Sequence, residues 1–234
     1  AGVLRTQIAD LEVMGTELTG ILDQERSTEK LERSLHMRMK DDLAVVGDML
    51  KLEQADMPSP DSDRWLADME GRVDTMAKVH ENVLQHSGSG PVNLKAHFTA
   101  LAQAAFRRFG AEELVKATVE ATMEGDLSGQ LMPLSLLLNE LLSGCAKQAA
   151  AHHRSAQVSI ALRQVGTQRC ELLFSDDGNF PGAGGASSAG TFSTELVRAL
   201  AKRLNGTIHL LKDDIITFQL TFENGMTENL RLAS

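Results

Sequence analysis

Residues 30–55 carry an apolar stripe at helical spacing, and this stripe constrains the fold of the chain most. The apolar residues recur at steps of three and four, which places them on one face of a helix. They are Leu35, Met39, Leu43, Val46 and Leu50. A Pro-containing loop at 57–61 follows, and residues 65–84 repeat the spacing. Two amphipathic helices do not close a core alone, so the sequence predicts a homodimer whose two antiparallel hairpins form a four-helix bundle.

A histidine stands just off the stripe. His36 is followed by Arg38 and Lys40 on the flank that the helix leaves exposed. An imidazole in that position can act as a nucleophile and carry a phosphoryl group, and the two cations could offset the phosphoryl charge. The structural alternative is a solvated histidine without a chemical role.

Charge and composition narrow the classes of partner. The 234 residues include 23 basic and 32 acidic side chains, a net charge of -9, which argues against a nucleic-acid partner because phosphate binding needs a basic surface. Cys145 and Cys170 show no metal-ligand spacing, so we predict no metal site held by cysteine and a reducing, cytoplasmic location. No apolar run reaches the roughly 20 residues that span a bilayer. We therefore expect membrane association only through an upstream sensor.

The remaining segments predict a linker helix and a mixed α/β domain. Residues 1–29 have coiled-coil spacing, and a Gly- and Ser-rich break at 85–93 marks a domain boundary. Beyond the break the patterns predict helices and strands in an order that gives an open mixed sheet with helices on one face. The predicted helices are 94–108, 131–151 and 192–205, and the predicted strands are 114–123, 157–164, 169–175, 207–212 and 215–222.

Two motifs in the hairpin resemble a known family. LHMRMKDDL, followed about thirty residues later by RVDTMAKVHENVL, is similar to the dimerisation and phosphotransfer hairpin of sensor histidine kinases of the HisKA_2 and HWE type. The H-box of that family usually reads HRVKNNL. When residues 38–43 are laid on RVKNNL, the phosphoacceptor position falls on Met37, and His36 lies one residue earlier, about 100° around the helix.

The resemblance continues in the C-terminal half. LSLLLNELLSGCAKQ at 134–148 resembles the N-box of the GHKL (Bergerat-type) ATP-binding fold, and residues 176–178 resemble its DNG box. The resemblance implies a nucleotide site in which Glu140 polarises water or helps hold magnesium and Asp176 accepts a hydrogen bond from the adenine amino group. It also assigns Asn139 and Lys147 to this site, and Gly178 allows close approach of the backbone.

The metal and phosphate side of that implied site is eroded. The second Asn of the family's N-box is Gly144 here, which supplies no side-chain oxygen for magnesium. The usual GLGLxLV lid motif reads TFSTELV at 191–197, without the glycines whose N-H groups cradle phosphates, and Glu195 would repel a triphosphate. ATP with magnesium is the cofactor that the resemblance implies, and these losses count against it.

The sequence thus predicts an N-terminal coiled-coil helix (1–29), a dimerisation and phosphotransfer hairpin (30–87), a degenerate GHKL α/β domain (92–224) and a tail (225–234). The predicted function is two-component signalling: a response regulator receiver domain docks on the bundle, a phosphoryl group moves through His36, and ATP use is impaired or absent. Two alternatives stay open. One is an active kinase that phosphorylates itself on His36, and the other is a non-catalytic pseudokinase that binds or dephosphorylates a regulator.

Overall fold

The computed structural model describes residues 62–86, 92–123, 127, 129–166, 168–177, 194–212 and 216–223. All of them lie within one compact unit, Asp56–Ser234. The predicted helix at 1–29, the first hairpin helix and the predicted residues His36, Arg38, Lys40 and Gly178 lie outside the described residues.

Four helices and five strands make up the described part of the chain. In chain order they are α1 Ser62–His86, α2 Leu94–Arg108, β1 Val115–Thr122, α3 Leu131–His152, β2 Ala156–Val165, β3 Arg169–Asp176, α4 Thr194–Arg203, β4 Thr207–Lys212 and β5 Ile216–Glu223. The predicted helices and strands beyond residue 92 are thus confirmed in type, and their ends shift by one or two residues. In the described helices, no segment combines the length and apolarity that crossing a membrane requires.

The sheet is mixed and open, as the order of elements predicts. Its strand order is β1-β2-β3-β5-β4; β1 runs parallel to β2, whereas the other neighbours are antiparallel. One apolar row crosses the whole sheet in register. It consists of Val119, Ile160, Phe174, Phe218 and Leu210.

The residue pattern of strand β1 explains why one face of this sheet is covered by helices and the other is exposed to solvent. Val115 and Val119 are buried, whereas Lys116 and Thr118, which point to the opposite face, are exposed. Side chains alternate between the two faces of a strand, so the valines contribute to the core beneath the helices. The outer face of the sheet carries polar rows instead, such as Arg163 hydrogen-bonded to Glu171.

Helix α3 is the centre of the core. Leucines cover most of its circumference, and seven of them are completely buried: Leu131, Leu134, Leu136, Leu137, Leu138, Leu141 and Leu142. A helix that is apolar nearly all round must be enclosed by other elements. Helices α1, α2 and α4 all pack against α3, so its few polar side chains face protein.

Local signals fix where α2 begins and ends. The Asn93 side chain accepts a hydrogen bond from the Ala96 N-H at 3.0 Å, which caps the helix start. At the other end Gly110 adopts φ +62°, a left-handed conformation that glycine reaches without the usual steric cost. This geometry turns the chain directly into β1.

Candidate functional site

The N-box residues on α3 face α1, and the most buried contact between the two helices is an ion pair. Arg72 donates from Nε to Oε1 of Glu140 at 2.8 Å and from Nη2 to Oε2 at 3.1 Å. The two side chains are only 3% and 7% exposed. A two-pronged arginine–carboxylate contact is directional as well as strong, so both carboxylate oxygens of Glu140 are directed at α1.

Lys147 lies two turns after Glu140 on α3 and is also bound by a residue of α1. Its Nζ donates to Oδ2 of Asp68 at 2.7 Å and lies 5.1 Å from the centre of the Phe109 ring. An ammonium over an aromatic face gains a further electrostatic attraction. The cation that the resemblance assigns to the nucleotide site is therefore paired with a carboxylate of α1.

Asn139 is contacted from α2. Arg108 donates from Nη1 to Oδ1 of Asn139 at 3.4 Å, and its Nη2 lies 3.5 Å from Oδ2 of Asp74 on α1. The Arg108 side chain passes across α1 at Gly71, where a Cβ atom would lie 2.4 Å from Nη1. The missing side chain at position 71 thus makes room for the arginine.

A buried histidine joins the same three helices. His97 on α2 is hydrogen-bonded through Nε2 to Ser135 on α3 at 2.8 Å and through Nδ1 to the amide nitrogen of Asn82 on α1 at 3.1 Å. Burial, reinforced by the nearby charge of Lys78, lowers the pKa of His97 to about 4. The ring is therefore neutral at pH 7, and it accepts from Asn82 and donates to Ser135.

Asp176, the predicted adenine-binding residue, lies on a different side of α3. It ends β3 and is 1% exposed, and the thiol of Cys145 donates to its Oδ2 at 3.3 Å. Burial, together with the charge of Asp176, raises the pKa of Cys145 well above its ordinary value, which keeps the thiol protonated as a donor. Cys145 follows Glu140 by five residues, about 140° around the helix.

The described residues do not fit a magnesium–triphosphate group in this arrangement. Glu140, Asn139 and Lys147 are each engaged by a charged side chain of α1 or α2, and Gly144 offers no side-chain oxygen. Among the described residues, no cluster of three or more His, Cys, Asp or Glu side chains could hold a metal ion. Glu195 lies in the first turn of α4 and is exposed, where a carboxylate favours the helix dipole and opposes an anionic ligand.

The structure thus brings Asn139, Glu140 and Lys147 together and separates them from Asp176. Sequence reasoning missed Asp68, Arg72 and Arg108, the residues that bind them. The sequence did contain a signal for two of the three. Asp68 and Arg72 lie one helical turn apart and interrupt the apolar pattern of the helix that carries the family motif. A charged residue on a face that must pack against protein calls for a partner of opposite charge.

Comparisons with known proteins agree with this architecture. Residues 34–109 match the HisKA_2 histidine kinase family. The histidine kinase domain of the blue-light activated histidine kinase EL346 from Erythrobacter litoralis superposes with a TM-score of 0.51 at 16% identity, over 70% of this chain and 77% of that domain. The larger structure of the same kinase gives a TM-score of 0.52 at 16% identity over 68% of this chain, which spans about half (49%) of that protein. No curated protein sequence matches significantly.

At 16% sequence identity, the similarity to the Erythrobacter kinase shows a shared fold only, with a mixed arrangement of helices and sheet. The match to the family model covers the hairpin from residue 34 and α2, and this segment contains RVDTMAKVHENVL. The resemblance inferred from the motifs is therefore confirmed. Over residues 34–109 this chain is thus similar in sequence to the histidine kinases of the HisKA_2 type, and it shares its fold with the Erythrobacter histidine kinase domain.

Proposed function

We propose that this chain is a two-component signalling protein of the histidine kinase group that transfers phosphoryl groups without using ATP as their source. A response regulator receiver domain docks on the helical bundle of a homodimer, and the phosphoryl group moves between an aspartate of the regulator and His36. One observation carries the ATP part of the proposal: the two-pronged Arg72–Glu140 ion pair, buried on the face where a kinase would need its N-box free.

The charge balance on α3 supports impaired use of ATP. A triphosphate with magnesium needs cationic and oxygen-bearing side chains that can turn toward it. Here Lys147 is paired with Asp68 and Glu140 with Arg72, and both pairs are largely shielded from water. A nucleotide that bound these side chains would have to break both ion pairs, which is costly in a buried setting.

The phosphotransfer part rests on sequence. An imidazole nitrogen of His36 attacks the phosphorus of the regulator's aspartyl phosphate; a P–N bond forms as the P–O bond to the aspartate breaks, and the carboxylate leaves. Arg38 and Lys40 lie within four residues of His36 and offset the charge of the transferring group. The reverse direction needs the same groups.

Titration calorimetry tests the ATP part directly. The full chain is titrated with ATP and with a non-hydrolysable analogue, each with and without magnesium, and an Asp176→Asn variant is the control for residual purine binding. We expect no magnesium-dependent binding. Micromolar, magnesium-dependent binding by the wild type would overturn this part and favour the active kinase.

Transfer of radioactive phosphate tests the role of His36. A purified receiver domain, phosphorylated on its aspartate with labelled acetyl phosphate, is mixed with the wild type, with His36→Ala and with the control variant His209→Ala, which removes an exposed histidine of β4. We expect the wild type and His209→Ala to take up label and His36→Ala to take up none. Equal labelling of all three would rule out His36 as the acceptor.

A second candidate function, a non-catalytic docking module, is favoured by the outer side of α1. Leu66 and Val73 are each 60% exposed, and they are seven positions apart, so they share one face of the helix. Exposed apolar side chains at heptad spacing are typical of helices that associate with other helices. If regulator binding survives His36→Ala and is lost in Val73→Asp, without any transfer of label, this second candidate replaces the first.

A further inference from the structure

We propose that the groove between helix α2 and the free edge of strand β1 binds the extended C-terminal segment of a partner polypeptide, which pairs with β1 as an added antiparallel strand. This groove, called here the edge groove, is a cavity of about 490 Å³. Its lining residues come from α2, from β1 and from the connection between them. The inference goes beyond the proposed function, because it involves neither His36 nor the N-box residues.

The backbone of β1 presents hydrogen-bonding groups along the edge groove. β1 is the first strand in the order β1-β2-β3-β5-β4, so among the described strands only β2 pairs with it. The Leu114 carbonyl accepts a hydrogen bond from the Ala156 N-H at the start of β2, and the backbone groups of successive residues in a strand point to opposite sides. The groups of Ala117, Val119 and Ala121 therefore point away from β2. An edge of this kind is a template for an added strand.

The side chains of the same three residues leave space beside this edge. Side chains alternate with the same period as the backbone groups, so all three face the helices. Ala117 and Ala121 are small and only half-buried, and Ala117 lines the edge groove together with Ala102 and Phe106 of α2. A strand added beside β1 would direct alternate side chains into this space, where small apolar side chains fit the lining.

The charges at one end of the edge groove set the direction of its occupant. The short connection 109–114 joins the end of α2 to the start of β1. Arg107 and Lys116 line the groove near this connection, with one acidic residue, Glu112. Both cations are exposed, and neither forms an ion pair with a described residue. The excess of positive charge over Glu112 favours a carboxylate at this end.

A chain terminus explains this arrangement better than a continuing chain. The added strand runs antiparallel to β1, so its C-terminal end lies beside the start of β1, where the connection 109–114 crosses from the helix to the strand. Its terminal carboxylate then lies near Arg107 and Lys116. In strand addition, main-chain hydrogen bonds supply affinity and pockets for alternate side chains supply specificity.

A flexible segment also fits the edge groove better than a second folded copy of this chain. Helix α2 packs against β1 itself. A second copy paired through β1 would therefore bring its own α2 towards the first, whereas an extended segment adds only its own thickness. The cavity volume lies within the range of roughly 300–1,000 Å³ that is typical of ligand sites, which is sufficient for a few side chains.

Fluorescence anisotropy with a defined peptide tests the proposal on the full chain. The probe is the peptide GSTTVTV, labelled with fluorescein at its N-terminus and ending in a free carboxylate, so that its valines occupy alternate positions from the C-terminus. We expect a Kd in the micromolar range. The same peptide with a C-terminal amide should bind roughly 10-fold more weakly, because it loses a charge-assisted contact.

N-methylated peptides distinguish backbone pairing from binding of side chains alone. Methyl groups on the amides of both valines remove the donors that would face β1, and we expect binding to weaken by at least roughly 10-fold. Methyl groups on the amides of the two threonines that precede these valines remove donors that would face solvent, and we expect nearly unchanged binding. These comparisons use the wild-type chain, so they do not depend on the folding of a variant.

A matched pair of variants tests the position of the site. Ala117→Leu fills the edge groove, whereas Thr118→Leu places the same side chain on the opposite face of β1. We expect the first to abolish peptide binding and the second to retain it. The double variant Arg107→Glu with Lys116→Glu should also lose binding, and Lys202→Glu, which changes an exposed cation of α4, should not. Melting temperatures from circular dichroism show whether each variant is folded.

Several outcomes would overturn the proposal. They are no binding of the free-acid peptide, equal affinity for the free and amidated peptides, equal effects of the two methylation patterns, and binding that survives Ala117→Leu. If no peptide binds and sedimentation shows an oligomer that Ala117→Leu dissociates, a second copy covers the edge instead. None of these measurements involves ATP or phosphoryl transfer, so their outcome is separate from that of the proposed function.

Discussion

The guanidinium of Arg108 occupies the space in which a side chain at Gly71 would begin: a Cβ atom there would lie 2.4 Å from Nη1 and 2.6 Å from Cζ. Gly71 lies in the middle of α1, where glycine costs about 1 kcal/mol of helix stability relative to alanine. The chain bears that cost, and in return Arg108 reaches both Asn139 and Asp74.

A Gly71→Ala substitution should therefore have two opposing effects. The helix gains about 1 kcal/mol, whereas Arg108 swings away and loses two long hydrogen bonds of similar total worth. We expect the free energy of unfolding to stay within about 1 kcal/mol of the wild type, measured by urea denaturation. In the same series, Arg108→Ala should cost less in the Gly71→Ala background than alone, and equal costs in both backgrounds would contradict the contact.

The Arg72–Glu140 pair should be far more sensitive to removal of one partner than to removal of both. Arg72→Ala leaves the buried Glu140 uncompensated, and we expect a loss of about 3–5 kcal/mol in the free energy of unfolding. The double variant Arg72→Met with Glu140→Leu replaces the pair with apolar side chains of similar size and should lie close to the wild type. Denaturant unfolding of the two variants distinguishes them, and a double variant as unstable as Arg72→Ala would mean that packing, and not charge, dominates.

His97 should make the protein less stable in mild acid. Its pKa is about 4 in the folded protein and near 6.5 when unfolded, so between these values the unfolded state binds more protons. The contribution is fully present above pH 6.5 and is lost as the pH falls towards 4, by about 3 kcal/mol in total.

Unfolding free energies at a series of pH values check this. The fall between pH 6.5 and 4 should be shallower by that amount in His97→Gln than in the wild type, whereas His209→Gln, which removes an exposed ring on β4, should keep the wild-type profile. Parallel profiles for the wild type and His97→Gln would contradict the buried neutral imidazole.

Both cysteines should resist thiol reagents in the native protein. Cys145 and Cys170 are free and buried; burial raises the pKa of Cys170 to about 11, and burial and Asp176 raise the pKa of Cys145 well above its ordinary value. Since the thiolate is the reactive form, an aromatic disulfide reagent at pH 8 should label neither side chain until denaturant is added. Rapid labelling of either thiol without denaturant would contradict this packing.

Much of the fold beyond residue 92 was predictable, because local periodicity is enough there. The buried run of α3 and the alternating pattern of β1 read directly as helix and strand, and Pro133 and Gly110 mark where such elements begin or end. The predicted ends of β2 and α4 differ from the observed ends by one or two residues, because the terminal residues of helices and strands are the part that local periodicity defines least.

The site was only half predictable. The N-box residues Asn139, Glu140 and Lys147 were identified and do lie together, but the expectation that they face a nucleotide did not anticipate the ion pairs with α1. The partners are far apart in the chain: Arg72 and Glu140 are separated by 68 positions, and Asp68 and Lys147 by 79. No local pattern encodes a contact over such a distance. His36, Arg38, Lys40 and Gly178 remain predictions from sequence.

The shared burial of Arg72 and Glu140 also limits how freely the parts of this protein can be recombined. A chain shortened to begin at residue 92 would keep α3 but leave Glu140 and Lys147 without Arg72 and Asp68, their partners on α1. A hairpin taken from a histidine kinase would need an acidic and a basic residue at the positions of Asp68 and Arg72 to form the same ion pairs. Modular exchange, in this chain, would therefore have to carry α1 along with the domain that follows it.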